Sequence, residues 1–140
     1  MRYLIDTNIV VFMIGDPDML DENVKALLSE HDAILYTSAE SAKELVLAFR
    51  NKRLFAKRWK SANDMLRSIE NEYNIHIRPL NREHIYTYAG LRLNTQQDHK
   101  DPSDHVIISH AITEHLPLIS SDTRFGYYRP QGLDFIYNQR

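Results

Sequence analysis

Short apolar runs alternate along this chain with longer segments in which apolar residues recur at helical spacing. The short runs predict buried strands at residues 3–5, 33–36, 75–78, 118–120 and 133–137. The longer segments predict helices at residues 9–14, 22–29, 39–51, 56–72, 82–93 and 101–115, followed by a turn or short helix at 122–128. Strands that alternate with helices favour a parallel sheet covered on both faces. We therefore expect one α/β domain over residues 1–140.

The composition is that of an ordinary globular protein, with 43% of the 140 residues hydrophobic and 26% charged. The chain has no cysteine, which excludes disulfides, zinc sites built from thiolates and a cysteine nucleophile. No apolar run approaches the roughly 18 residues that cross a bilayer. The amino-terminal segment reaches an acid after three apolar residues and lacks the apolar core of a signal peptide. We expect a cytoplasmic protein with no membrane partner.

The charge is unevenly distributed, although the formal net charge is only −2. The segment from Arg50 to Arg67 contains seven basic residues and one acid, so it carries +6 while the rest of the chain carries −8. One interpretation is a surface that follows the phosphates of a nucleic acid. The other is the solvated face of a helix, and charge patterning alone favours neither.

Two aspartates follow predicted strands. Asp6 comes directly after the run at residues 3–5, and Asp122 comes soon after the run at 118–120. Open parallel sheets bind ligands outside the carboxyl ends of their strands, where these two side chains are expected. Taken singly, each aspartate is better explained as a helix cap or turn residue. Two independent strands that both end in Asp weaken that interpretation.

Asp104 lies near the start of a helix predicted from Pro102 onward. Ile107 and Ile108 follow it by three and four residues, so its carboxylate falls on the apolar face of that helix. Desolvation of such a carboxylate is unfavourable unless a cation or hydrogen-bond donors compensate. Asp101 at the N-cap, Pro102 at N1 and Asp104 at N3 also make a well-formed helix start. Capping explains Asp101 better, and a functional site explains Asp104 better.

The helix predicted from residue 39 is apolar on most sides, which makes its acids unusual. Glu44 is either a functional carboxylate or a capping-box residue paired with Ser41. Glu40 is open to the same two explanations, with Thr37 as its capping partner. Spacing alone does not decide which of the two glutamates is functional.

Carboxylates that converge on one point repel one another. Two full charges about 4 Å apart cost about 4 kcal/mol at an effective dielectric constant of about 20. Such a cluster takes up protons or binds a hard cation, and ligation by oxygen alone suits Mg²⁺ or Mn²⁺. A magnesium ion held by a few carboxylates, water and substrate phosphate can catalyse the cleavage of a phosphodiester bond.

Seven histidines raise the alternative of a zinc site. His105, His110 and His115 are five residues apart, which does not place them on one helix face as an i, i+4 pair would. We therefore expect these three side chains at the surface. The four glycines are scattered along the chain, so it has no phosphate-binding loop and no dinucleotide fingerprint.

Four segments of the chain resemble the PIN-domain ribonucleases of the VapC-like toxin type. They are Leu4-Ile5-Asp6-Thr7-Asn8, Glu44 in its long helix, Asp101-Pro102-Ser103-Asp104 before an Ile-rich helix, and Leu118-Ile119-Ser120-Ser121-Asp122. They occur in the family's order and span nearly the whole chain. The ordered set is specific, whereas no single motif is decisive.

The resemblance implies a three-layer α/β/α sandwich with a central parallel sheet and an acidic pocket. By the same match, one or two Mg²⁺ or Mn²⁺ ions would be held by Asp6, Glu44, Asp104 and Asp122. Glu44 is preferred over Glu40 because it precedes two apolar residues, as the family's helix acid does. Water or carboxylates would be oriented by a second set of polar residues, namely Thr7 or Asn8, Ser121 and, in an assisting role, Asp101.

The resemblance also implies an endoribonuclease that hydrolyses RNA phosphodiester bonds with metal-activated water. Asp6 and Asp104 would carry the principal ion, Glu44 would be a ligand or a base acting through water, and Asp122 an outer or second-metal ligand. Family members are typically toxins whose antitoxin covers the pocket, and toxin homodimers are usual. In many close relatives an aromatic residue and an arginine flank the acid that matches Asp104, where this chain has Ser103 and His105. That departure concerns substrate contacts.

Two other functions fit the same fold. One is a binding or scaffold module without catalysis, which has no need of four acids in apolar settings. The other is a housekeeping RNA-processing nuclease, which a small antitoxin gene immediately upstream would argue against.

Overall fold

A computed structural model describes the chain over residues 1–140. The strands are β1 (Arg2–Ile5), β2 (Ile34–Ser38), β3 (Ile75–Arg78), β4 (Leu118–Ser120) and β5 (Phe135–Tyr137). The helices are α1 (Thr7–Gly15), α2 (Glu22–Leu28), α3 (Ala39–Arg50), α4 (Ala62–Asn71), α5 (Arg82–Gly90) and α6 (Pro102–Glu114). Two 3₁₀ helices occupy Pro17–Met19 and Thr123–Gln131. None of the helices combines the length and apolar character that crossing a membrane requires.

The five strands form one parallel sheet in the order β3-β2-β1-β4-β5. The chain builds outward from β1 to β3 and then returns to add β4 on the other side of β1. The order therefore reverses between β1 and β4, and a parallel sheet opens a crevice for ligands at such a point. Ile5 is in register with Ile119, so the residues that follow these two strands emerge side by side.

Alternation along β1 divides the interior into two apolar layers. Tyr3 and Ile5 point into a cluster that also contains buried residues of α1, α2, α3 and α4. Leu4 points the opposite way, into a cluster built by α6, the second 3₁₀ helix and β5. Successive strand residues face opposite sides of a sheet, so three consecutive apolar residues fill both layers. The predicted three-layer α/β/α sandwich with a central parallel sheet is confirmed.

The predicted helix at 56–72 is wrong over its first six residues. α4 begins only at Ala62, because the Ser61 hydroxyl caps it by accepting a hydrogen bond from the Asp64 N–H at 3.1 Å. The preceding segment forms turns that place Trp59 in the core, where it is 5% exposed. The composition of this segment suited a helix, but burial of the indole ring determines its path.

The prediction that three histidines lie at the surface is wrong for two of them. His105 and His110 are 3% and 0% exposed, whereas His115 ends α6 in a left-handed conformation and is exposed. α6 packs against α5 and α3, shares an apolar cluster with residues of β1, β4 and β5, and contacts the preceding loop through His105, so polar positions of this helix also face protein. An apolar stripe reveals one buried face of such a helix and not the others.

Candidate metal centre

A cavity of about 280 Å³ opens at the carboxyl end of β1, and no hydrophobic residue lines it. Its walls come from four parts of the chain: the start of α1, the middle of α3, the start of α6 and the segment after β4. They contribute Asp6, Thr7, Asn8, Glu44, Asp101, Asp104, Asp122 and Arg124. The four acids predicted to hold a metal therefore line one cavity, although up to 116 sequence positions separate Asp6 from Asp122.

Asp6 is the most deeply buried acid of the cavity and is 5% exposed. It caps α1, and its Oδ1 accepts the Thr7 N–H at 2.8 Å while its Oδ2 accepts the Ser120 hydroxyl at 2.8 Å. Burial, reinforced by the negative charge of Asp104, raises the pKa of Asp6 to about 7, although both hydrogen bonds oppose the rise. The protein alone therefore stabilises the ionised form of Asp6 poorly. This is expected of a carboxylate whose negative charge is balanced by a bound cation.

Glu44 reaches the cavity from the second turn of α3. The Thr7 hydroxyl donates a hydrogen bond of 2.5 Å to its Oε1. Burial raises the pKa of Glu44, and the Thr7 hydrogen bond only partly offsets this while the charges of Asp104 and Asp101 add to it. The capping-box explanation with Ser41 does not apply, because Ser38 caps this helix. Glu40 instead forms an ion pair of 2.7 Å with Lys43 and does not line the cavity.

Asp104 occupies the third position of α6, and its side chain is 16% exposed. Its Oδ2 lies 2.9 Å from the Nε2 atom of His99, a buried ring in the loop before α6. Asp101 caps α6 as the sequence predicted, since its Oδ1 accepts the Ser103 N–H at 3.0 Å. Asp101 also lines the rim of the cavity.

Asp122 differs from the other acids because both of its oxygens are engaged by Arg124. The guanidinium approaches Oδ1 at 3.0 Å and Oδ2 at 2.8 Å. Burial raises the pKa of Asp122, but the hydrogen bonds and positive charge of Arg124 outweigh it and leave the pKa below its usual value. A metal ligand role for Asp122 stays a prediction, and an ion bound there would compete with Arg124.

Of the other polar residues near the acids, some line the cavity and others hold the residues that line it. Asn8 is exposed at the cavity wall. The Ser121 hydroxyl accepts a hydrogen bond from the Asn138 side chain at 2.8 Å. Its neighbour Ser120 connects two of the acids, because it donates to Asp6 and accepts the Asp122 N–H at 3.1 Å.

Sequence reasoning did not identify three of the residues that touch the acids, namely His99, Ser120 and Arg124. Arg124 lies two positions after Asp122, so a local pairing was visible in the sequence. Ser120 meets Asp6 across 114 positions. No local pattern signals such a contact, which arises only because β1 and β4 are neighbours in the sheet.

A second cluster, formed by His84, His110 and Glu114, lies between α5 and α6 and has the composition of a zinc site. The two Nε2 atoms lie 2.8 Å and 2.6 Å from the same Glu114 oxygen, at angles too bent for good hydrogen bonds. The Asn81 N–H donates to the Nδ1 of His84 at 2.9 Å, so the proton of the neutral ring sits on Nε2 and blocks ligation there.

Arg78 contacts the other oxygen of Glu114. Its guanidinium therefore already supplies a positive charge to this cluster. Burial, with the neighbouring ring of His84, lowers the pKa of His110 to about 4. This group is therefore a half-buried carboxylate neutralised by an arginine and flanked by two buried histidine rings, and it joins α5, α6 and β3.

The donors that line the cavity fit a divalent cation. Each acid in its wall offers oxygen ligands, and five carboxylates face a single arginine. The pKa values of Asp6 and Glu44 are raised first by burial and then by the negative charge of Asp104, and a bound cation would offset both effects. Oxygen donors around a small polar cavity suit Mg²⁺ or Mn²⁺ better than zinc.

Comparison with known proteins relates this chain to a family and to several solved structures. No curated protein matches the sequence. The chain is similar in fold to VapBC2 from Rickettsia felis bound to promoter DNA, with 22% identity over 99% of this chain and 100% of that chain and a TM-score of 0.73. VapBC-1 from nontypeable Haemophilus influenzae is 20% identical over 98% of both chains, with a TM-score of 0.67. FitAcB from Neisseria gonorrhoeae is 23% identical over 99% of this chain and 97% of that chain, with a TM-score of 0.66.

At identities this low, the structural similarity shows a shared fold and no more. The family model described as PIN domain matches residues 3–129, which is most of the chain and includes all four acids. The chain therefore belongs to the PIN domain family.

Proposed function

We propose that this protein is a metal-dependent endoribonuclease that hydrolyses RNA phosphodiester bonds. The observation that supports this most strongly is the convergence of Asp6, Glu44, Asp104 and Asp122 on one cavity without any hydrophobic lining. A scaffold module gains nothing from a buried carboxylate whose ionisation the fold disfavours, whereas a cation-binding enzyme requires one.

The cation would be held in this proposal by Asp6, Glu44 and Asp104, which line the same cavity. A Mg²⁺ or Mn²⁺ ion held there would lower the pKa of a water molecule bound to it and would offset the negative charge that builds on the phosphate. Thr7 holds Glu44 through its hydroxyl and Asp6 through its N–H, so it fixes two of these carboxylates at once.

Arg124 is the only basic side chain in the cavity wall. It is anchored to Asp122 by three side-chain hydrogen bonds, which hold the guanidinium at the cavity. A guanidinium in this position binds a phosphate oxygen. We assign Asp122 an outer position, where it orients Arg124 and contacts a second ion if one binds.

The cellular role we propose is that of a toxin controlled by an antitoxin. The similar structures from Rickettsia felis and Haemophilus influenzae are described as VapBC, and another, from Klebsiella pneumoniae, as a toxin–antitoxin complex. The acidic cavity suits a basic side chain of such a partner. The proposal includes a homodimer and a cytoplasmic location. An antitoxin gene beside the gene for this protein would distinguish a toxin from a housekeeping nuclease.

Cleavage of an end-labelled RNA pool tests the enzymatic proposal. We expect cutting with Mg²⁺ or Mn²⁺ and none with EDTA. Glu44→Gln is expected to lower the rate by on the order of 100-fold or more, because it removes a charged ligand and keeps the shape of the side chain. Glu40→Gln is the matched control on the same helix and is expected to cut as the parent does. Equal rates for Glu40→Gln, Glu44→Gln and the parent would contradict the assignment of the site.

The basic segment from Arg50 to Arg67 gives a second prediction. Lys52, Arg53 and Lys57 are exposed, and none of them has an ion-pair partner. If they follow the RNA backbone, replacing all three with Gln reduces the slope of log K against log salt by about 2, since each phosphate contact contributes about 0.7 on a single strand. Binding is measured with Glu44→Gln as the background, so that the RNA stays intact. An unchanged slope assigns these residues to a solvated surface.

A further inference from the structure

His99 is a buried histidine in the loop before α6, and the function proposed above assigns it no role. It is 2% exposed, and its Nε2 atom lies 2.9 Å from Oδ2 of Asp104. We propose that His99 is a positioning residue, which donates a hydrogen bond to Asp104 and thereby fixes the orientation of that carboxylate for the cation. The proposal rests on the proposed function, since it concerns a ligand of the same cation.

The direction of the hydrogen bonds around His99 follows from its neighbours. The Asn94 N–H donates to the Tyr128 hydroxyl oxygen at 3.0 Å. The hydroxyl oxygen lies 3.0 Å from Nδ1 of His99, which gives the tyrosine proton an acceptor. Nδ1 of the neutral ring is then unprotonated, and Nε2 carries the proton toward Asp104. The other tautomer would place a nitrogen lone pair against a carboxylate oxygen, which is repulsive.

Both the backbone and the ring of His99 are held by neighbouring residues. Its backbone carbonyl accepts a hydrogen bond from Nε2 of His105 at 2.9 Å, and its backbone N–H donates to the Asn94 carbonyl at 3.0 Å. The ring packs against Phe125, with centroids 5.4 Å apart, and edge-on against His105 at 4.9 Å. Because the His99 ring is already fixed, it can hold the Asp104 carboxylate in one orientation without a further loss of side-chain entropy when the cation binds.

The proton on Nε2 also determines whether His99 can itself be a ligand of the cation. The Nε2 atom and the carboxylates of Asp104 and Asp122 offer ligand atoms within 4.8 Å of one another, which is compatible with a shared metal. A protonated Nε2 has no lone pair to offer, so His99 supports the site and does not ligate the ion.

Titration of each variant with Mn²⁺ by calorimetry tests the proposal. His99→Leu removes the donor, and we expect the Kd for Mn²⁺ to rise by about 10-fold to 100-fold. His99→Gln keeps an N–H donor and is expected to recover a large part of that loss. Tyr128→Phe removes only the hydroxyl that sets the tautomer and is expected to weaken binding to a smaller extent. His84→Gln changes another buried histidine, outside the cavity, and is expected to bind Mn²⁺ as the parent does.

Nitrogen-15 NMR of the metal-free parent identifies the tautomer of His99 directly and does not depend on any variant folding. A protonated Nε2 with an unprotonated Nδ1 is the expected result, and the reverse tautomer overturns the proposal. An unchanged Kd in Tyr128→Phe and His99→Leu also overturns it. A parent that binds no Mn²⁺ overturns the proposed function instead, so the two failures are distinguishable.

Discussion

Replacing Asp6 with Asn is expected to abolish metal-dependent RNA cleavage and, in the metal-free protein, to increase the free energy of unfolding at about pH 8. The first effect follows because the variant loses the most buried carboxylate of the cavity. The second follows from the pKa of Asp6, which burial and then the charge of Asp104 raise to about 7 from an ordinary value of 3.8. Above pH 7 the folded protein therefore carries an ionised group that the unfolded chain accommodates better.

The size and pH range of this effect follow from linkage. Between about pH 4 and pH 7 the folded protein binds more protons at Asp6 than the unfolded chain does, so its stability falls as the pH rises. The full loss amounts to as much as about 4 kcal/mol, since one pKa unit corresponds to about 1.4 kcal/mol. Asn keeps the shape and can still cap α1. Urea denaturation at about pH 8 should show the gain, and at about pH 4 the two proteins should be similar.

Asp122→Asn is the matched control, with an expected effect of opposite sign. Arg124 holds the pKa of Asp122 below its usual value in spite of burial. Its ionised form therefore stabilises the folded protein above the ordinary pKa of an aspartate, and this contribution is lost on acidification. Asp122→Asn should accordingly destabilise the protein at about pH 8. A destabilised Asp6→Asn, or a stabilised Asp122→Asn, would contradict the charge balance described for this cavity.

Adding Mn²⁺ to the parent is expected to stabilise it most where Asp6 is ionised. A ligand present at about 100 times its Kd raises the free energy of unfolding by about 2.7 kcal/mol. Below about pH 6 the gain should shrink, because the proton on Asp6 competes with the cation for the same oxygens. Thermal or urea unfolding with Mn²⁺ and with EDTA, over a series of pH values, measures this.

The control for the metal effect is Asp6→Asn under the same conditions. It should gain little from Mn²⁺ at any pH, because its side chain is neutral. A gain that is equal in the parent and Asp6→Asn would place the bound ion elsewhere. A gain in the parent that does not change with pH would contradict the competition between proton and cation at Asp6.

The fold was predictable because its signals are local. Three consecutive apolar residues in β1 fill both layers of the core, and the Asp that follows them begins the next helix. Asp101 and Pro102 mark the start of α6 for equally local reasons, a side-chain cap and a fixed backbone angle. The loop before α4 was not predictable in this way, because the burial of Trp59 sets its path.

The candidate site was predictable as a set of acids but not as a network. Strand ends and helix faces pointed to Asp6, Asp104 and Asp122, whereas Glu44 was chosen over Glu40 only by family resemblance. The contacts that tune these acids join distant positions: Thr7 meets Glu44 across 37 residues, and Ser120 meets Asp6 across 114. His99 gave no signal because Tyr128, 29 positions further along the chain, meets its ring only in the folded protein.

Anomalous diffraction from crystals of the parent grown with Mn²⁺ at about pH 8 tests the central claim most directly, because it locates the ion without any knowledge of the RNA target. The account predicts an anomalous peak inside the acidic cavity, with oxygens of Asp6, Glu44 and Asp104 as its nearest protein ligands, and no peak in crystals of Asp6→Asn. A peak beside His84, His110 and Glu114, or no peak in the cavity of the parent, would contradict it.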